Sequence, residues 1–342
     1  MEPNGSRTTP EADPVAETLQ SLGESELLRR LARFAPTGQF DDDTATLAAQ
    51  EQAHLVNTDL LVDGVHFSDT TTAAQDVGWR AAAVNLSDLA ASGVDAVLGV
   101  TVGLVAPADT PWSWVEGVYQ GLDAALKRYG GVLLGGDCSR GCQRMLSVTA
   151  IGSLGPLRLL RSAARPGDQI VVSGCHGLSR LGLGLLQNDP VLSSLNLSHD
   201  LCEQAIHRHR RPTPRLDALQ ALIHCKPDGL PWRAGGTDSS DGLLRAVELL
   251  SATSRCGIRL TRDRLPQASS WPRTPLFDDW CLNGGEDFEL VLSLPKAWAE
   301  SWLASVPGSC WIGDVVADPP GVRWADSHVP VTAGPGFNHF QP

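Results

Sequence analysis

The sequence predicts a mixed α/β protein, α+β in its arrangement, with two domains, and three observations support this fold class. Segments with strand patterns alternate with segments with helical patterns along the chain. The 342 residues exceed what one hydrophobic core usually serves. The pattern changes near Gly155-Pro156, so we expect one domain over residues 23–155 and a second over residues 156–342.

The first third of the chain gives clear local patterns. Residues 1–22 are polar and rich in proline, and we expect a disordered leader there rather than a signal peptide. Residues 24–34 place apolar side chains at helical spacing. Strands are predicted at residues 54–62 and 96–105, and an alanine-rich buried helix at residues 74–92 that ends at Gly93.

The remaining elements follow the same alternation. Pro111 suits the first turn of a helix that runs to Tyr129. Residues 132–134 predict a short buried strand that leads directly into Gly135-Gly136-Asp137. Further strands are predicted at 145–154, 169–173 and 288–292, and helices at 178–187, 199–209, 214–224 and 240–254. Ser239, Ser240 and Asp241 are expected in the first turn of the last helix.

Composition excludes several classes of protein. A net charge of −12 argues against nucleic acid or membrane surfaces as partners, since both are polyanionic. No apolar run approaches the roughly 18 residues that a transmembrane helix needs. The eight cysteines contain no CxxC pair, which favours reduced thiols in a cytoplasmic protein over a zinc site or disulfides.

Acidic residues recur where predicted strands end or helices begin. Six groups share this placement: 41–43, Thr58-Asp59, Ser87-Asp88, Gly136-Asp137, Asp238 with Asp241, and Glu286-Asp287. Each is an ordinary turn pattern by itself. Together they indicate a site for several Mg²⁺ ions shared with substrate phosphates, because Mg²⁺ prefers hard oxygen ligands.

Motifs of the common phosphate-binding and catalytic classes are absent. The sequence has no G-x4-GK[ST] loop, no protein-kinase motifs, no G-x-S-x-G elbow and no dinucleotide fingerprint. It contains only three lysines, so metals and arginines such as Arg161 would have to neutralise phosphates. Arg161 is equally well explained as a surface charge, and an isolated histidine such as His66 is more often structural than catalytic.

Several motifs occur in an order that is distinctive. They are Asp42-Asp43-Thr44-Ala45, Asn57-Thr58-Asp59, Gly64-Val65-His66-Phe67, Ala83-Val84-Asn85-Leu86-Ser87-Asp88-Leu89-Ala90-Ala91, Leu134-Gly135-Gly136-Asp137, Arg161-Ser162-Ala163, Arg211-Pro212-Thr213-Pro214-Arg215, Asp238-Ser239-Ser240-Asp241-Gly242-Leu243 and Gly284-Gly285-Glu286-Asp287-Phe288-Glu289-Leu290, with the tail Gly336-Phe337-Asn338-His339-Phe340. This set, which spans roughly residues 24–340, resembles the thiamine-monophosphate kinase family of the aminoimidazole-ribotide-synthetase-like superfamily.

The resemblance implies an ATP-dependent kinase that phosphorylates thiamine monophosphate to thiamine diphosphate by direct, Mg²⁺-assisted transfer. A phosphate oxygen is already ionised at neutral pH, so no residue is needed as a strong general base. The implied fold joins an N-terminal domain, which binds metal and nucleotide and forms a β-barrel across a homodimer interface, to a C-terminal α/β domain. The active site is expected between the two domains.

The resemblance also assigns residues to the site. It implies Mg²⁺ ligands at Asp43, Asn57, Thr58, Asp59, Asp88, Asp137, Asp238 and Asp241, with Asp59 and Asp137 central to metal-assisted catalysis. ATP contacts are implied at Gly136, Asp137, Arg161 and Ser240. Contacts to the thiamine part are implied at His66, Glu286 and Phe337.

Two other interpretations remain open at this point. The chain could be a superfamily relative that uses ATP on another small substrate, or a catalytically silent nucleotide-binding regulator. The sequence departs from the family pattern at Asp41, which stands in place of glycine, at Asn57, which is often serine, and at Phe337, which is often tyrosine. None of these changes removes a carboxylate ligand.

Overall fold

The computed structural model describes residues 16–39, 44–45, 47 and 51–332, and two β-sheets with flanking helices dominate it. The first sheet has the strand order β1-β4-β2-β3. Its strands are β1 (His54–Val62), β2 (Val94–Ala106), β3 (Val132–Arg140) and β4 (Met145–Leu154). β4 pairs antiparallel with β1 and β2, and β3 pairs parallel with β2, so β1 and β3 are the two edges.

One face of this sheet is covered by helices. The helices of this half are α1 (Leu19–Leu22), α2 (Glu24–Leu31), α3 (Ala74–Ser92) and α4 (Trp112–Tyr129). α3 and α4 touch backbone to backbone, since a Cβ added at Gly78 would lie 1.8 Å from the carbonyl oxygen of Val118. α3 ends at Gly93 in the left-handed conformation that glycine favours.

The other face of the first sheet is open within the described part of the chain. Successive side chains of a strand point to opposite faces. On β1 this leaves Val56 63% exposed and Leu60 50% exposed, with Thr58 exposed between them. Apolar side chains exposed in a row are typical of a surface that another protein covers.

The second sheet has six strands in the order β10-β7-β9-β5-β8-β6. They are β5 (Asp168–Val172), β6 (Gly235–Asp238), β7 (Gly257–Leu260), β8 (Leu290–Pro295), β9 (Cys310–Val316) and β10 (Gly321–Trp324). The helices of this half are α5 (Leu178–Leu186), α6 (His199–Arg210), α7 (Leu216–His224), α8 (Leu243–Ser254), α9 (Pro275–Asn283) and α10 (Lys296–Ser305). One hydrophobic core continues from the first sheet to Leu219 and Trp298 beneath the second.

The mixed α/β class is confirmed, and several predicted elements match the structure closely, including residues 54–62, 74–92 and 145–154. None of the helices in the described residues combines the length and apolar character needed to cross a bilayer. The predicted leader extends too far, because residues 19–22 form a helical turn. Its first amide, from Leu19, donates to the carbonyl oxygen of Thr110 at 3.0 Å.

Three other boundaries were wrong for identifiable reasons. Gly135-Gly136-Asp137 lie inside β3, because Gly136 permits close strand contact: a Cβ there would lie 2.0 Å from the carbonyl oxygen of Val102. The helix predicted from residue 240 begins at Leu243, after Gly242 at φ +108°. The strand predicted from residue 288 begins at Leu290, because Phe288 has the left-handed φ of +52°.

Candidate functional site

A cleft of about 750 Å³ lies between the two halves of the chain. β1 and the turn that follows it form one wall, which includes Asp59 and His66. The facing wall comes from the loop after β6, from α9 and from residues 284–289, here called loop 284–289. The cleft therefore brings together acidic motifs that lie more than 200 residues apart in the sequence.

Three carboxylates from different elements meet at one end of this region, and we call them the acidic cluster: Asp59 on β1, Asp88 on α3 and Asp238 at the end of β6. The side-chain amide of Asn57 donates to Asp59 Oδ2 at 3.3 Å and to Asp88 Oδ2 at 3.1 Å. Ser87 donates to Asp238 Oδ2 at 2.7 Å. The cluster is thus linked by neutral donors rather than by cations.

The electrostatics of the acidic cluster are unfavourable. Burial, followed by the charges of Asp238 and Asp59, raises the pKa of Asp88 to about 7. Burial, followed by the charge of Asp238, also raises the pKa of Asp59. The pKa of Asp238 is raised by burial although two serine hydroxyls donate to it. Carboxylates in this state are stabilised by a bound cation.

The donor set of the acidic cluster fits Mg²⁺. Asn57 Oδ1 is buried and has no hydrogen-bond partner among the described residues, so a hard oxygen acceptor is left without a donor. In the part of the chain that the structure describes, no three His, Cys, Asp or Glu side chains are grouped closely enough to hold a metal ion by themselves. Mg²⁺ usually takes one or two carboxylates and completes its shell with water and phosphate.

The predicted metal ligand Asp43 and the predicted substrate contact Phe337 both lie outside the described residues. The side chain of Thr58 points away from the acidic cluster. It lies on the opposite face of β1, with its hydroxyl 2.8 Å from Thr149 Oγ1 on β4. The side chain of Thr58 therefore does not reach the acidic cluster of the same chain.

Gly136 and Asp137 are also distant from the acidic cluster. Asp59 pairs with Val148, Val148 with Val102, and Val102 with Gly136. These three strand spacings separate the Cα atoms of Asp59 and Gly136 by roughly 14 Å along the sheet. The structure therefore places Asp137 at the opposite sheet edge from Asn57 and Asp59.

The predicted nucleotide contacts of the second half do lie beside the acidic cluster. Ser240 donates to Asp238 Oδ1 at 3.2 Å, and Asp241 lines the cleft with an exposed side chain. Arg161 donates from Nε to Thr237 Oγ1 at 3.1 Å, one residue before Asp238. Its charge acts to lower the pKa of both Asp88 and Asp238. Arg161 is thus the cation that lies near this group of carboxylates.

His66 and Glu286 face each other across the cleft. His66 Nδ1 accepts a hydrogen bond from the amide of Val62 at 3.1 Å, which leaves its proton on Nε2. Glu286 has a left-handed φ of +56°, and its amide donates to the carbonyl oxygen of Ser240 at 2.7 Å. A non-glycine residue in this conformation costs energy and is common at functional sites.

Sequence reasoning missed the residues that hold loop 284–289. Arg80 pairs with Glu286 at 2.5 Å, and Arg208 and Arg215 both pair with the fully buried Glu289. Asp287 accepts amide hydrogen bonds from Gly177 at 2.7 Å and Ser179 at 3.0 Å, at the start of α5. One signal was available for Arg80, since a charge in the middle of an alanine-rich, buried helix requires a partner.

The sequence of this chain is similar to those of known proteins. Residues 41–154 match the family model of the AIR synthase related protein, N-terminal domain. The chain is 50% identical over 325 residues to the thiamine-monophosphate kinase of Prochlorococcus marinus, and the alignment covers 95% of this chain and 98% of that relative.

Solved structures show the same likeness. The thiamine-monophosphate kinase from Stenotrophomonas maltophilia K279a has a TM-score of 0.74 at 31% identity, with 89% of this chain and 96% of that chain covered. A structure of AaThiL complexed with AMPPCP and TMP has a TM-score of 0.71 at 28% identity, with coverage of 96% and 100%.

Proposed function

The chain belongs to the thiamine-monophosphate kinase family, and we propose that it transfers the terminal phosphoryl group of ATP to the phosphate of thiamine monophosphate, giving thiamine diphosphate and ADP. The observation that carries this proposal is the 50% identity to a thiamine-monophosphate kinase over 95% of the chain. The fold is the aminoimidazole-ribotide-synthetase-like fold of that family. A related structure binds AMPPCP together with TMP, which supports ATP and thiamine monophosphate as the two substrates.

The chemistry is positioning and charge neutralisation, with direct in-line transfer and no phosphorylated enzyme. The attacking phosphate is ionised at neutral pH, so no side chain serves as a strong general base. Asp59, Asp88, Asp238 and the nearby Asn57 and Asp241 would hold several Mg²⁺ ions, with Asp43 adding to them. When bound, Mg²⁺ neutralises charge on the transferring group and its neighbouring oxygens.

The side chains around the acidic cluster orient the two substrates. Arg161 and Ser240 contact the phosphates of ATP from the side of β6, where Ser240 is fixed by its bond to Asp238. His66 and Glu286 contact the thiamine part across the cleft, together with Phe337. His66 donates from Nε2, because its Nδ1 already accepts from the amide of Val62. Holding both phosphates in line accounts for much of the rate enhancement.

A homodimer is part of this proposal. The open face of the first sheet, with Val56 and Leu60 exposed, supports an intersubunit β-barrel built by residues 23–155, while residues 156–342 form the C-terminal domain. Gly136 and Asp137 lie too far from Asp59 of the same chain to share its metals. In a barrel of two such sheets, the β3 edge of one protomer meets an edge of the other and brings these residues to the site.

We place the enzyme in the cytoplasm. All eight cysteines are free thiols in the structure, as expected in a reducing compartment. Nothing in the proposal requires nucleic acid or a membrane as a partner, and the net charge of −12 disfavours both.

A product assay tests the function directly. Purified protein is incubated with ATP, Mg²⁺ and either thiamine monophosphate or free thiamine, and the products are separated by chromatography. We expect thiamine diphosphate from thiamine monophosphate only. Absence of product over a range of Mg²⁺ concentrations would refute the proposal. Tight ATP binding without turnover would then favour a silent regulator, and turnover on another acceptor would favour a different activity within the superfamily.

A further inference from the structure

Arg80 forms an ion pair that joins the two halves of the chain inside the cleft. It lies on α3, and its side chain is 2% exposed, whereas that of Glu286 on the facing loop is 33% exposed. Arg80 Nη2 donates to Glu286 Oε1 at 2.5 Å, and Nη1 donates to the carbonyl oxygen of His209. Both Arg80 and Glu286 line the cleft. The pair therefore holds one oxygen of Glu286 and leaves the carboxylate accessible.

Arg80 provides the charge that balances Glu286. His209 Nδ1 lies 3.6 Å from Glu286 Oε2, but burial and then the charge of Arg80 lower the pKa of His209 to about 4. His209 is consequently neutral at physiological pH, and its Nδ1 lies 3.1 Å from Ser179 Oγ. Arg80 is thus the charged partner of Glu286 beside this neutral imidazole.

The guanidinium also has few other acceptors to hold it. Arg80 Nε is buried and has no hydrogen-bond partner among the described residues. A buried arginine is costly without a carboxylate partner, so Arg80 and Glu286 fix each other. The backbone of Glu286 is already constrained by its left-handed φ of +56° and its bond to Ser240. Contacts of both the main chain and the side chain therefore hold Glu286 in place.

We propose that Arg80 is a positioning residue, which acts through Glu286 to orient the acceptor thiamine monophosphate. This inference rests on the proposed function, in which Glu286 contacts the thiamine part. It implies that the affinity for the acceptor depends on the contact between α3 and loop 284–289. We expect binding of ATP, whose phosphates the proposed function places at Arg161 and Ser240, to depend less on that contact, because the main chain of Glu286, and not its carboxylate, bonds to Ser240.

Steady-state kinetics of Arg80→Gln test this inference. Loss of a charged hydrogen bond predicts a rise of roughly 10- to 100-fold in the KM for thiamine monophosphate, with the KM for ATP changed less than about threefold. Arg80→Lys keeps the charge but loses the second hydrogen bond of the guanidinium. Its KM for thiamine monophosphate should therefore lie between those of the wild type and of Arg80→Gln. A purely structural role would instead lower the fraction of active enzyme and leave both KM values unchanged.

A double-mutant cycle shows whether Arg80 acts through Glu286. In a Glu286→Gln background, Arg80→Gln should raise the KM for thiamine monophosphate by less than about threefold further, because the partner is already altered. Additive effects of the two substitutions would overturn the inference. Thermal unfolding of each variant accompanies the kinetics. If Arg80→Gln does not fold, Arg80→Lys decides: an unchanged KM for thiamine monophosphate overturns the inference, and a selective rise supports it.

Arg211→Gln is the matched control. Arg211 also bridges to α3, through a 2.5 Å contact with Asp76, but it does not touch Glu286 or the cleft. We expect its KM for thiamine monophosphate to equal that of the wild type. An equal rise in Arg211→Gln and Arg80→Gln would overturn the inference in favour of a general loosening of α3. Failure of the wild type to form thiamine diphosphate would refute the proposed function itself, which keeps the two failures distinct.

Discussion

The acidic cluster and loop 284–289 each contain three carboxylates, but they differ in what surrounds them. Hydroxyls, an amide and other acids surround Asp59, Asp88 and Asp238, and the nearby Arg161 donates to Thr237 rather than to one of these carboxylates. Glu286 and Glu289 in the loop pair with arginines, Arg80 for the first and Arg208 and Arg215 for the second. A carboxylate that pairs with an arginine stabilises the fold. A carboxylate without such a pair can bind a metal ion that arrives with the substrate.

Asp287 lies between these two cases. It is fully buried, and burial raises its pKa to about 7 despite two amide donors at the start of α5. Backbone amides at a helix start therefore offset only part of the cost of burying this charge. The contrast between the two regions depends on the kind of donor as well as on the number of donors.

Glu289→Gln tests the structural side of the comparison and should have the largest effect. It leaves Arg208 and Arg215 without their buried carboxylate, so we expect the free energy of unfolding to fall by about 3–5 kcal/mol. Urea denaturation, with and without Mg²⁺, measures the change, and Mg²⁺ should not restore the loss. Glu300→Gln, in an exposed pair with Lys296, is the control and should stay within about 0.5 kcal/mol of the wild type. Equal stability of the two variants would remove the distinction between the regions.

Asp59→Asn and Asp137→Asn test the functional side. Each should lower turnover by about 100- to 1000-fold, as loss of a group that stabilises transition-state charge typically does. The free energy of unfolding should not fall for Asp59→Asn, because the substitution removes a charge from a repulsive cluster. Circular dichroism and the product assay measure the two quantities, with Asp123→Asn on α4 as an exposed-helix control. Near wild-type turnover in either variant would show that its metal assignment is wrong.

Mg²⁺ should stabilise the folded protein more at about pH 7.5 than at about pH 5. The pKa of Asp88 is raised from 3.8 to about 7 in the folded state without metal, so that state binds the proton more tightly than the unfolded chain. The free energy of unfolding therefore falls as pH rises from about 4 to about 7. A cation that favours the ionised carboxylate should recover roughly 1–3 kcal/mol of this loss.

Denaturation curves at the two pH values, with and without Mg²⁺, measure this smallest of the expected effects. Asp88→Asn is the informative variant, because the part of the pH dependence that Asp88 causes should disappear with its carboxylate. The same gain from Mg²⁺ at both pH values in the wild type would contradict the account of the acidic cluster given above.

Local patterns in the sequence predicted those elements whose environment is uniform along their length. Residues 54–62 alternate between two faces, so their period is plain, and residues 74–92 are an alanine-rich run that ends at Gly93. Glycine was the main source of error. In β3, Gly136 allows two strands to approach, although Gly136-Asp137 by itself is an ordinary turn pattern. Gly242 precedes α8, so that helix begins after Ser240 and Asp241, which the sequence places in its first turn.

The candidate site was predictable as a set of residue types but not as an arrangement. The motifs identified Asp59, Asp88 and Asp238, which the fold does bring together. Alternation along the predicted strand already implies that Thr58 faces the opposite side of β1 from Asp59. The sequence could not show that β3 is the far edge of the sheet from Asp59, because strand order is set by tertiary packing. The Arg80–Glu286 pair spans 206 positions and leaves no local trace at Glu286.

Helix α3 tolerates few amino-acid substitutions, and it lies at the centre of the enzyme. From Asp76 to Ser92 it has no exposed residue, and the same helix supplies Arg80 to one end of the cleft and Asp88 to the other. A bulkier residue at Gly78 would strike the backbone of α4. Random variation should therefore be rejected along this helix at almost every position. Adaptation of the enzyme to new conditions would proceed through the outer faces of α6 and α10, whose exposed side chains can vary freely.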